Sequence, residues 1–164
     1  MTFIVDGTNG LTFPNSTIQT SAGQVLQVVS TTITSQQTIT SSTYVDISGL
    51  SATITPKFST SKVLMIINVS FSSDGDRDGS FRTVRGTTVI PTGVTSTVMN
   101  ASNSAYVNSM LTLAQSYLDS PATTSATTYK IQAYVNAGSA YVNRRALDTG
   151  FVGQSTITLM EIAA

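Results

Sequence analysis

Short stretches in which apolar and polar residues alternate follow one another along most of this chain. A period of two is typical of β-strands that bury one face. Turn-forming residues separate the stretches, as in "SGLS" at 48–51. Short strands at this spacing indicate a β-sandwich or a β-barrel. The predicted strands are 25–34, 43–47, 50–55, 62–72, 80–86, 88–90, 94–99, 105–118, 127–136, 139–143 and 155–162.

Two of these predicted strands depart from simple apolar–polar alternation. The segment "KVLMIINVSF" (62–71) is almost continuously apolar, which is expected of a central strand covered on both faces. Along 105–120, by contrast, apolar residues recur at helical spacing, so that the residues alone leave helix and strand equally open. The recurring residues are Tyr106, Val107, Met110, Leu111, Leu113, Ala114, Tyr117 and Leu118.

The first 23 residues differ from the rest of the chain. The "DGTNG" at 6–10 favours a tight turn and Pro14 favours a bend, so only short extended pieces are predicted there. Extended pieces of this kind can pair with the sheet edge of another chain. We therefore predict an assembly arm at 1–23 and one β-domain at 24–164. The candidate assembly residues of the arm are Leu11, Phe13, Pro14 and Ile18.

The chain is weakly charged, which narrows its range of partners. Charged residues make up 10% of it, hydrophobic residues 40%, and the formal net charge is zero. Without a basic excess the main attraction for phosphate backbones is missing, so we expect no nucleic-acid partner. The longest apolar run, 63–67, is far shorter than a membrane span, and no secretory signal is visible. We expect no membrane insertion and synthesis in the cytoplasm.

Histidine and cysteine are both absent, which removes most catalytic constellations. Ser-His-Asp and Cys-His arrangements need these residues, as do most zinc sites. A pair of carboxylates, as in glycoside cleavage, remains the one catalytic alternative, and Asp74, Asp76 and Asp119 are its candidates. We expect a protein without enzymatic activity.

The loop "DGDRDG" (74–79) contains a candidate calcium site. Asp74, Asp76 and Asp78, followed by Gly79, match the first half of a calcium-binding loop, in which alternate oxygen ligands converge on one cation. The second half does not match, because Arg85 stands where a bidentate glutamate is required. The alternative is a solvated hairpin loop without metal.

Arg144 and Arg145 form a second candidate contact, for a sugar or a phosphate. Adjacent residues of a strand point to opposite faces, which makes a poor basic patch. The alternative is that one arginine is exposed and the other forms an ion pair.

Several stretches together resemble β-sandwich proteins of tailed-phage virions, especially those of marine and cyanobacterial phages. "GLTFPNSTIQTSAG" (10–23) resembles the "TFPDGTxQT-A" segment of their fibre proteins. The stretch 25–71 resembles the opening of the module, and 116–144 and "STITLMEIAA" (155–164) resemble its end. The similarity therefore extends over nearly the whole chain.

This resemblance implies an all-β, antiparallel, jelly-roll-like sandwich that associates as a homotrimer in the virion. It favours a strand for 105–118 and offers no catalytic residues. It implies a tail-fibre or tail-associated adhesin, attached to other virion proteins through the arm and exposing loops 74–79, 91–104 and 148–153 to a host-surface glycan or receptor. The alternative is a capsid decoration protein that stabilises or ornaments the head.

Overall fold

The structure is a computed structural model. It describes residues 4–6, 10–12, 18–19, 24–75, 77–92, 98–102 and 109–163, with side chains for 24–75, 79–92 and 109–163. All secondary structure in these residues is β, as the sequence predicts. None of the described segments forms a helix long and apolar enough to cross a membrane.

The described strands are numbered in chain order. They are β1 (Ile4–Asp6), β2 (Gly10–Thr12), β3 (Ile18–Gln19), β4 (Val25–Ile33), β5 (Gln37–Ile39), β6 (Val45–Ile54), β7 (Lys62–Ser73), β8 (Arg77–Arg85), β9 (Thr88–Ile90), β10 (Val98–Ser102), β11 (Leu111–Asp119), β12 (Thr127–Val135), β13 (Ala140–Val142) and β14 (Ser155–Ile162).

These strands form three antiparallel sheets. A small sheet of the order β1-β2-β3 contains the strands of the predicted arm. A five-stranded sheet has the order β10-β8-β12-β6, with β9 also paired to β8. A six-stranded sheet has the order β4-β14-β7-β13-β5, with β11 on the other edge of β7. The boundary between an arm at 1–23 and a domain at 24–164 remains a prediction.

The two larger sheets enclose one hydrophobic core. Alternate residues of β7, from Val63 to Phe71, and of β12, from Tyr129 to Val135, are almost fully buried. The rings of Phe71 and Phe81 meet edge to face between the sheets, with their centroids 4.8 Å apart. A Cβ at position 79 would lie 2.4 Å from Phe71, so glycine there leaves room for the ring.

The turn predicted at 48–51 is wrong, because these residues lie inside β6. The register shifts there: Lys130 pairs with Ser51 and Gln132 pairs with Asp46. Residues 47–50 therefore bulge opposite Ile131 alone. Gly49 has a φ of 78°, a conformation that glycine adopts without strain, and this lets the chain bulge without turning back.

Strand β11 decides between the helix and the strand left open for 105–120. Its described part pairs with β7 from Asp119–Val63 to Leu111–Phe71, so a helix is wrong for these residues. Leu113 and Tyr117 are four residues apart, a spacing that places them on one face in either structure, and both pack against the core. Leu118 points the other way and is 52% exposed. Residues 105–108 lie outside the described part.

Other elements also differ from the predictions. Strand β5 was not predicted, because its short sequence, "QTI", has little alternation to detect. The segment 74–79 is not a hairpin loop: β7 and β8 belong to different sheets, and β8 already begins at Arg77. Of the strand predicted at 94–99, residues 98 and 99 lie in β10 and 94–97 lie outside the described part.

The chain's one glutamate, Glu161 in β14, is fully buried and fixes the β6–β7 loop to the six-stranded sheet. Gln27 donates a hydrogen bond of 2.6 Å to its Oε2, and the backbone amide of Lys57 donates one of 2.7 Å to its Oε1. Burial by itself raises the pKa of Glu161, but hydrogen bonds, including those from Gln27 and Lys57, outweigh burial and hold this pKa below its usual value.

We predict that Glu161→Gln lowers the free energy of unfolding at pH 7 by about 1–3 kcal/mol, because an amide NH₂ then faces that of Gln27. Because the pKa of Glu161 is lowered on folding, its stabilisation is complete above the unfolded pKa near 4.5 and is lost as the pH falls through the folded pKa. Urea unfolding at pH 7, 4 and 3 measures both effects. An equally steep loss of stability in wild type and variant below pH 4.5 would contradict the assignment.

Candidate functional site

The segment 143–153, between β13 and β14, is held by several contacts among its own residues, and we call it the 143–153 loop. It begins at Asn143, which is fully buried and has a φ of 60°. The Nδ2 of Asn143 donates to the carbonyls of Ile33 and Ser35, and its Oδ1 accepts from the hydroxyl of Ser155 at 2.7 Å. At the other end, the amide of Gly153 donates to the carbonyl of Asn143. Both ends of the loop are thus fixed to the six-stranded sheet.

Two arginines fix the interior of the loop. The guanidinium of Arg144 lies over the ring of Tyr141, 4.3 Å from its centroid, and donates to the carbonyls of Arg145 and Ala146. The guanidinium of Arg145 lies over the ring of Phe151 at 4.2 Å. These are cation–π contacts, so each arginine orders an aromatic ring, and Arg144 also holds the backbone.

Asp148 completes this arrangement. It accepts a hydrogen bond of 3.0 Å from Nε of Arg145 and one of 2.9 Å from the amide of Gly150. The hydrogen bond with Arg145, followed by that with Gly150, holds the pKa of Asp148 below its usual value, and the same ion pair raises the pKa of Arg145. The ion pair expected for one of the two arginines is therefore confirmed, and it involves Arg145. Arg144 is half-buried, so the exposed arginine of that alternative is wrong.

The contacts inside the loop leave three apolar side chains pointing into solvent. Leu147 is 60% exposed, Phe151 57% and Val152 61%. Loops on a rigid scaffold are where binding residues are most often found, so these exposed side chains make the loop a candidate contact surface. The loop includes 148–153, one of the segments that the sequence predicts to contact the host. The sequence does not predict that the arginines stack on aromatic rings. The available signal is that Asp148 and Phe151 follow "RR" within a few residues.

The outer face of the five-stranded sheet is different: it is polar and internally paired. Asp46 accepts hydrogen bonds from Lys130 at 2.8 Å and from Gln132 at 2.7 Å, and the bond with Lys130 is the main reason why the pKa of Asp46 is lowered. Arg82 donates to Gln132 and lies 4.2 Å from the centroid of Tyr44. These side chains satisfy one another across three strands, as on an ordinary solvated sheet face.

Asp119, a candidate of the catalytic alternative, has a structural role. It is buried, and its Oδ2 accepts from Arg85 at 2.7 Å and from the hydroxyl of Tyr129 at 2.8 Å. Burial and the Asp119 carboxylate raise the pKa of Tyr129, which keeps this hydroxyl a donor. Asp119 pairs with Val63 at the start of β7, whereas Asp74 follows its end, on the order of 35 Å away. Asp74 and Asp119 therefore do not form an acid pair.

The candidate calcium ligands are described only in part. Oδ1 of Asp74 accepts from the amide of Ser139 at 2.9 Å, while the amide of Asp74 donates to the carbonyl of Ser139. This carboxylate joins the end of β7 to the β12–β13 turn. Asp76 and the side chain of Asp78 lie outside the described residues, so the calcium site remains a prediction. In the part that is described, no group of three or more acidic residues could hold a metal ion.

The candidate assembly residues also lie mostly outside the described residues. Leu11 belongs to β2 and Ile18 to β3, which pair with each other in the small sheet, and only their backbones are described. Phe13 and Pro14 lie outside the described part. Their role in assembly remains a prediction.

Two comparisons with known proteins give no match. No protein-family model matches the sequence, and a search of curated proteins finds no significant match. The surfaces of this chain are therefore the structural evidence for its function.

We predict that Arg145→Gln loosens the 143–153 loop without unfolding the domain, because it removes both the ion pair with Asp148 and the stacking on Phe151. Amide hydrogen exchange of residues 146–151 should become several-fold faster, while the midpoint of thermal unfolding falls by less than about 3 °C. Lys130→Gln, which removes an ion pair on the five-stranded sheet, is the matched control and should leave loop exchange unchanged. Unchanged loop exchange in Arg145→Gln would show that the loop is ordered by other contacts.

Proposed function

We propose that this chain is a non-enzymatic structural protein of a tailed-phage virion, a tail-fibre or tail-associated adhesin module with a jelly-roll-like sandwich that works as a homotrimer. Its arm attaches it to other virion proteins, and its loops contact a glycan or receptor of the host surface. The resemblance of 10–23, 25–71, 116–144 and 155–164 to virion modules supports the class of protein.

The observation that carries the adhesin role is the 143–153 loop. A host-binding protein needs a surface that is ordered before contact, because ordering it during binding reduces the affinity. Arg145 holds Phe151 in place while leaving this ring more than half exposed, and Leu147 and Val152 of the same loop are also exposed. Aromatic and apolar side chains held on a stable scaffold are the groups that dominate binding energy at interfaces.

A second candidate function is that of a capsid decoration protein. The observation that favours it is the weak charge of the chain, with a net charge of zero, which suits insertion among other subunits of a lattice. The copy number per virion distinguishes the two functions: hundreds of copies indicate decoration of the head, and a few to a few dozen indicate the tail.

We predict that labelled wild-type protein binds some members of a panel of bacterial cells, cyanobacteria included, or the surface polysaccharides purified from them. Phe151→Ser and Leu147→Ser should each weaken this binding by about tenfold, because removing a central anchor of an interface costs at least that much. Flow cytometry on the cells and biolayer interferometry on the polysaccharides measure the two cases.

Phe58→Ser is the matched control, since Phe58 lies in the β6–β7 loop and is 55% exposed, almost as much as Phe151. It should bind like wild type. Loss of binding in all three variants would contradict a specific role for the 143–153 loop, and wild-type protein that binds nothing in the panel would count against the adhesin.

A further inference from the structure

The outward side of the six-stranded sheet presents a flat surface across four strands. The registers of β11, β7, β14 and β4 align their outward residues in three rows, which we call the uncharged face. The first row is Leu118, Leu64, Met160 and Val28; the second is Ser116, Ile66, Thr158 and Ser30; the third is Ala114, Asn68, Thr156 and Thr32.

This face is more apolar than the solvent-facing side of an antiparallel sheet normally is. Leu118 is 52% exposed, Val28 54% and Ile66 37%. The sequence of β7 predicts a strand covered on both faces. Among its outward residues, Ser70 and Ser72 are buried beside the 143–153 loop, whereas Leu64 and Asn68 are half-buried and Ile66 is exposed. The apolar outward residues of β7 therefore suit contact with a further layer of protein. The described residues of one copy do not provide that layer.

The absence of charge on this face favours another copy of this chain as the partner that covers it. None of its twelve residues is charged. The charged residue next along β7 is Lys62, which donates to Ser120 at 2.8 Å. Two identical charged faces repel each other, whereas two identical uncharged ones do not. A charged partner, on the other hand, would find no complementary group on this face.

The polar groups of the face are also able to pair with themselves. They are hydroxyls and one amide, and each of these can both donate and accept a hydrogen bond. Between two copies of the face, every such group can therefore find a partner. A face of carboxylates or ammonium groups, which only accept or only donate, could not be satisfied by its own copy.

The size of the face limits the strength of such a contact. Four strands and three rows, together with the flanking Val25 and Ile162, give a projected area of roughly 500 Å². This is less than the about 800 Å² per partner of a standard stable interface, so the contact belongs to the smaller and weaker class. A shallow depression of about 290 Å³ between β7 and β11, lined by Ile66 and Ala114 among others, offers space for a side chain of the other copy.

We infer that the uncharged face is the interface between copies of this chain. This inference rests on the homotrimer of the proposed function and assigns its contact surface: the three faces meet around the threefold axis, one part of each face against a different part of the next. The interface centres on Ile66 of β7, with the row Leu118, Leu64, Met160 and Val28 as its apolar part.

Sedimentation equilibrium of the wild-type chain and three variants tests the inference. Ile66→Lys places a charge at the centre of the face, and Ser116→Lys places one on an exposed position of β11 without removing an apolar group. Both should weaken self-association at least tenfold. Thr53→Lys, on an exposed position of β6 in the other sheet, is the control and should associate like wild type. Thermal unfolding of each variant confirms that it is folded, and Ser116→Lys alone is decisive if Ile66→Lys does not fold.

The possible outcomes distinguish an error in the assigned interface from an error in the homotrimer. A wild-type oligomer that Ser116→Lys and Ile66→Lys dissociate, while Thr53→Lys does not, supports the interface. A wild-type oligomer that withstands both substitutions on the face, or that Thr53→Lys weakens equally, overturns the interface but leaves the homotrimer standing. A wild-type chain that is monomeric at every concentration overturns both the interface and the homotrimer.

Discussion

The pairing of β7 on both of its edges is the constraint on which the rest of the structure depends. One edge pairs with β11 along nine residues, and the other pairs first with β14 and then with β13. Its inward residues, from Val63 to Phe71, form much of the core wall of the six-stranded sheet. A strand enclosed in this way cannot shift its register by one residue without exposing the whole core face. The same constraint fixes which residues of β7 point outward, so Leu64 and Ile66 are presented to solvent as a consequence of burying Val63 and Met65.

Buried polar side chains then fix the loops to this framework. Glu161 holds the β6–β7 loop, Asn143 holds the start of the 143–153 loop, and Asp119 joins the end of β11 to β8 and β12. Each is almost fully buried and hydrogen-bonded, which is the condition under which burying a polar group is tolerated. In a chain without disulfides, these contacts specify where the loops lie. Loops that are held on the sheets by buried hydrogen bonds can expose apolar side chains without losing their conformation.

The sequence predicts most strands of the two large sheets, because alternation with a period of two survives wherever one face is buried. It fails where another factor decides. "SGLS" has the composition of a turn, but Gly49 uses its freedom to form a bulge, and composition does not distinguish the two. "QTI" is held as β5 by its pairing with β13, a partner a hundred residues away that its own residues do not reveal. The contact of Asp74 with the backbone of Ser139 was equally invisible, since the two are 65 residues apart, while the calcium site itself stays a prediction. The ion pair of Arg145 was among the alternatives, whereas its stacking on Phe151 depends on the shape of the loop and could not be predicted.

The two surfaces proposed for contact follow one another along the outward side of β7. The 143–153 loop is fixed beside Ser70 and Ser72, near the end of the strand, and the rows of the uncharged face run from Asn68 back to Leu64, roughly 7 to 20 Å from Ser70. Copies that pack through the uncharged face therefore hold their loops at one end of the interface. Cyclic symmetry places equivalent residues of every copy at the same height along the axis, so the loops of a homotrimer point to one plane. A repetitive cell surface presents many equivalent sites to that plane, and simultaneous engagement raises avidity by about 10²–10⁴ without any new contact. For the proposed adhesin, weak binding by each exposed Phe151 would then be sufficient, and a loop with three exposed apolar side chains meets that requirement.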